Sequence, residues 1–376
     1  MNLDRPHCVL TGSDDLVHIT GFDSFPVFMG CTDLPEENDI TRPMQWWQST
    51  GSGVLQLRPL LELDIVYLTA HNAMVGETWE AHHASLAEMI VDQEPGAVFE
   101  LAGADGALAM KVLDRLPDCR WTCIDTNPTI HDDERLKVVT GIIDENLVVP
   151  DGSDLIVHSH FFEHAYQPRQ LLEALARSMP LGTRMAFSVP NQVAQFNAGY
   201  GNVLNFEHTY FLRQEYLEWL LAITGFAIVE HTPFRDHSLQ YVVERSDGVP
   251  VPSLDWAALS DENRALLQRF VDGLHADAAE VNQRVSEADG PLYIFGAHVT
   301  SQYLISAGLD LTRVECILDN NEAKQGQRLY GSPLFVNAPM AIKDTEQPHI
   351  IVRMANYQAE VEQQLRELTN GQVVIL

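Results

Sequence analysis

The chain has 376 residues, of which 45% are hydrophobic and 20% are charged, and its formal net charge is −30 at pH 7. This length predicts two or three domains. The acidic surplus would repel a phosphate backbone, which argues against nucleic acid as a partner. No window approaches the roughly 18 apolar residues of a membrane span and the first residues lack an export signal, so a soluble, cytoplasmic protein is expected. Five scattered cysteines also fit a reducing compartment.

The first two-thirds of the chain divides into a small N-terminal part and an α/β domain. Residues 1–83 predict an accessory module of short strand-like pieces and turns, with a helix around Thr78 to Ile90. Residues 84–246 alternate apolar runs with amphipathic segments, which is typical of a parallel sheet covered by helices. Strands are predicted at Ala97 to Ala102, Arg120 to Asp125, Leu136 to Ile143, Asp154 to Ser159 and Arg184 to Val189.

This domain is predicted to finish with an antiparallel pair of strands. A helix over Arg213 to Thr224 should end at Gly225, because glycine suits a left-handed helix cap. The pair then follows at Phe226 to Phe234 and Ser238 to Glu244. Residues 247–289 predict a helical connector, and residues 290–376 predict a second, smaller Rossmann-like α/β domain.

Small residues follow the first predicted strand in the run Glu100-Leu-Ala102-Gly103-Ala104-Asp-Gly106. They keep open the crevice at the strand end, where open α/β sheets bind their ligands. Asp125, at the end of the second strand, is placed to accept hydrogen bonds from both hydroxyls of a ribose. The pattern suits any cofactor that contains adenosine, although glycine-rich turns after strands also occur for structural reasons alone.

Three ordered motifs together resemble the class I S-adenosylmethionine (SAM)-dependent methyltransferases. They are the run from Glu100 to Gly106, the strand end Cys123-Ile-Asp125, and Asp154-Leu-Ile-Val-His-Ser-His160-Phe-Phe-Glu-His164. The resemblance implies SAM as cofactor and S-adenosylhomocysteine as product. The implied cofactor residues are Glu100 near the methionine amino end, Ala102, Gly103 and Gly106 in the turn, Asp125 at the ribose, Ile143 and Asp144 at the adenine, and Ser159 and His160 beside the methionine. Ala102 and Ala104 depart from the usual glycines.

Segments near both ends resemble a narrower group, the three-domain sugar C-methyltransferase family. They include Cys8-Val-Leu-Thr11, Trp79-Glu-Ala-His82-His83, Phe295-Gly-Ala-His298 and Lys324-Gln-Gly326. That family's N-terminal module binds zinc through two C-x2-C pairs, whereas the matching positions here are Cys8 with Thr11 and Ser49 with Ser52. Hydroxyls are poor zinc ligands, so zinc is expected to be lost and no metal site is predicted. A rearranged site using His7, Cys8 and Cys31 is the lesser alternative.

Methyl transfer from a sulfonium is an in-line displacement, and an acceptor hydroxyl or carbon acid also needs a base. The run Asn205-Phe-Glu207-His208-Thr-Tyr210 lies where the family places a Tyr-His-Glu-His catalytic loop, and only Glu207-His208 matches. His208 is therefore the candidate general base. Glu207, Tyr210 and His160 are further catalytic candidates, each weighed against a structural role. His164 is more simply interpreted as a residue that caps or braces a helix.

The sequence thus indicates a SAM-dependent methyltransferase acting on a small polar acceptor, and the resemblance favours a nucleotide-linked sugar, methylated on carbon or oxygen. The oligomeric state stays open. A nicotinamide-dependent oxidoreductase is one alternative, because the same strand, turn and acid hold its adenosine half, but the G-x-G-x-x-G spacing is missing. A catalytically silent binding or scaffold protein is the other, suggested by the lost cysteines and the broken loop motif.

Overall fold

The computed structural model describes residues 2–66, 76–103, 105–130, 134–354 and 357–376. Its N-terminal part is antiparallel, with β2, β4 and β5 forming one sheet and β1 pairing with β6. The elements are β1 Asn2–Leu3, β2 Leu16–Pro26, β3 Cys31–Thr32, β4 Thr41–Ser49, β5 Leu55–Leu57, β6 Leu60–Leu61 and helix α1 Leu63–Val66.

The two long strands of this part differ from the short pieces predicted from sequence. β2 has 11 residues and β4 has nine. In β4, Met44 and Trp46 alternate with more exposed neighbours and are themselves fully buried. Such alternation is what a strand with one buried face requires.

The central part is a seven-stranded sheet in the order β12-β13-β11-β10-β7-β8-β9, and only β13 runs antiparallel to its neighbours. This confirms the predicted parallel sheet with an antiparallel finish. Its elements are α2 Glu77–Val91, β7 Ala97–Leu101, α3 Ala107–Leu113, β8 Arg120–Asp125, β9 Leu136–Thr140, β10 Leu155–Ser159, α4 Pro168–Ser178, β11 Arg184–Pro190, α5 Gln192–Asn197, α6 Gln214–Ile223, β12 Phe226–Phe234 and β13 Ser238–Arg245.

One predicted strand end in this part is wrong, and one expected domain boundary lies within a helix. The predicted strand from Leu136 to Ile143 ends at Thr140, because its partner β8 ends at Asp125 and the last backbone bond of the ladder runs from Gly141 N to Asp125 O. The domain boundary expected between residues 83 and 84 falls inside α2, an unbroken helix. α2 packs its buried side chains, among them Leu86 and Ile90, on the central sheet with α3.

The C-terminal part carries a second, five-stranded sheet that is parallel throughout, in the order β17-β15-β14-β18-β19. A 32-residue helix, α7, connects it to the central sheet, as the sequence predicted for this segment. The elements are α7 Trp256–Glu287, β14 Leu292–Phe295, α8 Val299–Ser306, β15 Val314–Leu318, β16 Arg328–Leu329, β17 Val336–Asn337, β18 His349–Val352, α9 Gln358–Leu368 and β19 Val374–Ile375.

The N-terminal and C-terminal parts share one core. β3 pairs with β16 in a two-stranded antiparallel sheet, and beside it Arg328 forms a two-pronged, buried ion pair with Asp39 at 2.6 and 2.7 Å. The rings of Phe25 and Tyr303 pack with centroids 4.8 Å apart. Among the described helices, none is long and apolar enough to cross a bilayer.

Candidate functional site

The candidate site lies at the carboxyl edge of the central sheet. β7 has β8 on one side and β10 on the other, so the connections after these parallel strands diverge at β7. Open α/β sheets bind ligands in the crevice that this divergence creates.

The turn after β7 is built around small residues. Ala102 has a φ of +58° and donates its N–H to Ile124 O at 2.8 Å, while Gly106 has a φ of +69° and begins α3. A side chain at Gly106 would have to displace the end of the Ile130 side chain and would be strained by the positive φ, so glycine is favoured there. Ala104 lies outside the described residues. The sequence correctly identified a tight turn, and Ala102 adopts the left-handed conformation in which an alanine costs about 1–2 kcal/mol.

Glu100 is the buried acid beneath this turn. Trp121 Nε1 donates a 2.7 Å hydrogen bond to its Oε2, and its carboxylate fills the space where a side chain at Gly103 would lie. Burial raises the pKa of Glu100 to about 7, the Trp121 bond opposes the shift, and the negative charges of Asp105 and Asp125 add to it. Glu100 is therefore poised to change its charge near neutral pH.

Asp125 ends β8, directly beside β7, and is 8% exposed. Its Oδ1 accepts a 2.7 Å hydrogen bond from the backbone of Asn127. Glu100 pairs with Cys123, two residues before Asp125 on the neighbouring strand, and the negative charge of Asp125 contributes to the raised pKa of Glu100. The structure therefore brings together the two acids that the resemblance assigned to the cofactor.

The two residues expected at the adenine follow β9 in a loop, not on the strand. Ile143 packs against the hydrophobic core on one face of the central sheet, and α2 covers the other face. The carboxylate of Asp144 accepts hydrogen bonds from the backbone and side chain of Asn146 at 2.8 and 3.4 Å. Their contact with adenine stays a prediction.

Ser159 and His160 lie where β10 ends. Ser188 Oγ donates a 3.3 Å hydrogen bond to Ser159 Oγ, and Ser188 O accepts the backbone N–H of His160. His160 has a φ of +48°, and its Nε2 lies 2.7 Å from Ser238 Oγ. Its Nδ1 lies 3.5 Å from the buried carboxylate of Glu163. Burial and neighbouring histidines hold the pKa of His160 well below its usual value, so the ring is neutral.

The loop that carries Glu207 and His208 is fixed by Asn205, whose Oδ1 accepts the backbone N–H groups of both residues. His208 Nδ1 lies 2.8 Å from the carbonyl oxygen of Asn202. Because a carbonyl only accepts, Nδ1 carries the proton and Nε2 carries the lone pair in the neutral ring. This tautomer is the one that a general base working through Nε2 requires.

The sequence singled out two further side chains in this region, Tyr210 and His164. Tyr210, a catalytic candidate, is 0% exposed and donates a 2.7 Å hydrogen bond to Phe162 O, an arrangement typical of a structural tyrosine. Burial also raises its pKa well above the usual value. His164 ends the 3-10 turn Phe162–His164 and places its ring 4.6 Å from that of His208. His164 is therefore a neighbour of the candidate base.

Sequence reasoning missed two residues of this region, His82 and His237. Both rings lie within 5.5 Å, centroid to centroid, of His160. His82 is on α2 and His237 is in the turn between β12 and β13. Trp79 packs against all three rings. In the sequence, the motif from Trp79 to His83 indicated only a family resemblance. The three histidines come together through the topology of the sheet, which local sequence does not show.

The four positions expected for a lost zinc site also lie together in the N-terminal part. Cys8 Sγ is 3.2 Å from Ser52 Oγ, and the backbone N–H of Thr11 points to the same sulfur at 3.5 Å. Ser49 Oγ donates to Asp15 at 2.9 Å, and that carboxylate also accepts from the backbone of Gly51 at 2.6 Å. Hydrogen bonds around Asp15 thus connect the two loops.

No family model matches the chain, and no curated protein matches it. It is similar to solved methyltransferase structures at low identity. An O-methyltransferase family protein from Burkholderia thailandensis and human N-acetylserotonin methyltransferase, in complex with SAM, each have a TM-score of 0.39 and 16% identity over 45% of this chain. The chain spans about half of the length of these two proteins, 56% and 53%. N-methyltransferase NodS from Bradyrhizobium japonicum, in complex with S-adenosylhomocysteine, has a TM-score of 0.36 and 16% identity over 46% of this chain and 89% of its own.

Proposed function

We propose that the chain is a SAM-dependent methyltransferase. The observation that carries the proposal is the pair of acids, Glu100 and Asp125, at the ends of adjacent strands on either side of the tight turn from Ala102 to Gly106. The strand order supports it against the nicotinamide alternative. Nicotinamide-binding sheets follow the order 3-2-1-4-5-6, whereas here an antiparallel strand, β13, separates β11 from β12.

The residues at this edge suit the charges of SAM. SAM carries two cationic groups, an ammonium and a sulfonium. Because the pKa of Glu100 is about 7, a cation beside this side chain would shift it to the carboxylate form at neutral pH. Asp125 would accept hydrogen bonds from the ribose hydroxyls. Gly103 can carry no side chain without displacing the Glu100 carboxylate, which keeps the acid at the strand end.

The acceptor would lie beside His208. Bound SAM supplies an activated methyl group, and His208 would take a proton from the acceptor through Nε2 while Asn202 holds its Nδ1–H. The backbone bonds of Asn205 fix the loop that presents Glu207 and His208. A polar acceptor with an acidic O–H or C–H fits this arrangement, and a nucleotide-linked sugar is the class that the sequence resemblance favours.

Calorimetric titration with SAM tests the cofactor assignment. We expect saturable binding by the wild type and at least about tenfold weaker binding by Asp125→Ala, which loses hydrogen bonds to two hydroxyls. Asp151→Asn removes an exposed carboxylate from a turn before β10 and is the matched control, with unchanged affinity expected. Absence of SAM binding by the folded wild type would reject the proposal, and binding of NADH in its place would favour the oxidoreductase.

Turnover is tested with SAM deuterated in its methyl group, incubated with a panel of nucleotide-linked sugars and a metabolite extract. Mass spectrometry should find products heavier by the labelled methyl. His208→Gln should bind SAM like the wild type and lose about 10²–10⁴-fold in rate, the usual contribution of a general base. If His208→Gln transfers methyl groups at the wild-type rate, His208 is not the general base. If no acceptor yields a labelled product, the result favours a catalytically silent binding protein.

A further inference from the structure

Three imidazoles from distant parts of the chain meet beside the central sheet. His82 belongs to α2, His160 follows β10, and His237 precedes β13. Their ring centroids are 5.1, 5.3 and 5.4 Å apart, which makes a nearly equilateral triangle. One ligand nitrogen from each ring lies within 4.8 Å of the others.

We propose that His82, His160 and His237 bind a divalent transition metal ion of the zinc class. Zinc–nitrogen bonds are about 2.0–2.1 Å long, so three imidazoles on a tetrahedral ion have ring centroids about 5 Å apart. The observed triangle already has this size. Three protein ligands leave the fourth position to water or to an oxygen of another ligand, as in catalytic zinc sites.

His82 is the strongest indication of a missing ligand. It is 0% exposed, and neither of its ring nitrogens has a hydrogen-bond partner among the described residues. In a neutral imidazole, one nitrogen is a hydrogen-bond donor and the other is an acceptor. Burying either nitrogen without a partner costs folding free energy. A metal ion bound to one nitrogen of His82 would supply that atom with a partner.

Groups around the triangle already orient its rings. Ser238 Oγ lies 2.7 Å from His160 Nε2 and 2.5 Å from His237 Nδ1, so both rings hydrogen-bond this hydroxyl, and an ion bound through these two nitrogens would take the place of those bonds. His160 Nδ1 faces Glu163 Oε1 at 3.5 Å. The other Glu163 oxygen is buried and has no partner within the described structure. A carboxylate behind a ligating histidine is the usual outer support of a metal site.

A second group, Glu163, His164 and His208, also places three ligand atoms within 4.8 Å of one another. In that group, His208 belongs to the proposed acceptor site, where it has a different role. The triangle of three imidazoles with the unpartnered His82 is therefore the favoured site. Variants at His237 and His208 separate the two.

The test uses the full chain, freed of metal with a chelator and titrated with Zn²⁺ in a calorimeter, without SAM. We expect one ion per chain, and cobalt substitution should give the intense visible absorption of tetrahedral Co²⁺. His237→Gln alters only a turn and should weaken Zn²⁺ binding by about 100-fold or more, and His82→Gln should do the same. His275→Gln, at an exposed histidine of α7, is the control and should bind like the wild type.

Circular dichroism verifies that each variant is folded before its titration is interpreted. Absence of stoichiometric binding by the wild type overturns the proposal, as does wild-type affinity in folded His237→Gln. Loss of binding in His208→Gln, with His237→Gln unaffected, assigns the ion to the second group and also overturns it. Because Zn²⁺ is titrated alone, the result is independent of whether the chain binds SAM.

Discussion

At the scale of single residues, Glu100 connects the burial of one side chain to the chemistry of the site. Its carboxyl group accepts one hydrogen bond from Trp121 and has the negative groups Asp105 and Asp125 nearby. With a pKa of about 7 the group is close to half protonated in neutral solution. Binding of a cation beside it must therefore release a proton at lower pH.

This release predicts a pH dependence for SAM binding. Affinity should rise about tenfold from pH 6 to pH 8, because at pH 6 most Glu100 side chains are protonated and must ionise to face the cation. Calorimetry in buffers of different ionisation enthalpy measures both the affinity and the proton released. Glu100→Gln keeps the bond from Trp121, cannot ionise, and should bind with a flat pH profile. If SAM affinity depends on pH equally in the wild type and in Glu100→Gln, Glu100 does not contact the cofactor.

At the scale of elements, the two N-terminal loops that contain Cys8 and Thr11, and Ser49 and Ser52, face each other as a metal site would require. Restoring the missing thiols should therefore restore a four-thiolate zinc site. The triple variant Thr11→Cys, Ser49→Cys, Ser52→Cys is expected to bind one additional Zn²⁺ and to melt at a higher temperature with the ion than without it.

Cobalt distinguishes this site from any imidazole site, because thiolate ligands add a near-ultraviolet charge-transfer band. The double variant Thr11→Cys, Ser49→Cys, which offers three thiols with Cys8, is the control and should bind the ion more weakly. If the triple variant folds and shows no such band, the loops do not converge as the contacts between Cys8 and Ser52 indicate.

Elements whose buried residues recur at a regular period could be predicted from the sequence, and elements in which that period is interrupted could not. β8 has the predicted limits, because its buried residues alternate with more exposed ones at the period of a strand. The length of β2 was missed because its pairing with β4 shifts register between His18 and Thr20 and again after Phe22, which breaks the period of two. The acids at the strand ends could be predicted from local motifs. The triangle with His82 and His237 depends on contacts between elements far apart in sequence.

At the scale of the whole molecule, buried neutral histidines lower the stability of the fold in acid, and the raised pKa values of the buried acids Glu100 and Glu163 oppose this effect. Burial lowers the pKa of His82 and His158 to about 3 and those of His237 and His298 to about 4. These depressed values stabilise the folded state above a pH of about 6.5, and the stabilisation is lost as pH falls toward 3, since the unfolded chain takes up the protons first. The folded protein should therefore lose stability in mild acid.

His158 offers the cleanest measurement of this effect. It stacks on Phe187 with ring centroids 4.6 Å apart, inside β10. Between pH 7.5 and pH 5 it should account for about 2 kcal/mol of the fall in unfolding free energy, and His158→Leu should show a fall smaller by that amount. Urea denaturation of both proteins at the two pH values gives the comparison. Equal falls would mean that His158 is already protonated in the folded protein or shielded in the unfolded one.

The pairing of β3 with β16, closed by the ion pair between Asp39 and Arg328, also sets the timing of folding in the cell. Those two residues are separated by 289 positions. Ribosomes add about 5–20 residues per second, so roughly 15–60 s pass between the emergence of the two halves of this contact. During that interval the apolar faces of β2 and β4 have only part of their final cover, which makes the nascent chain a client for chaperones.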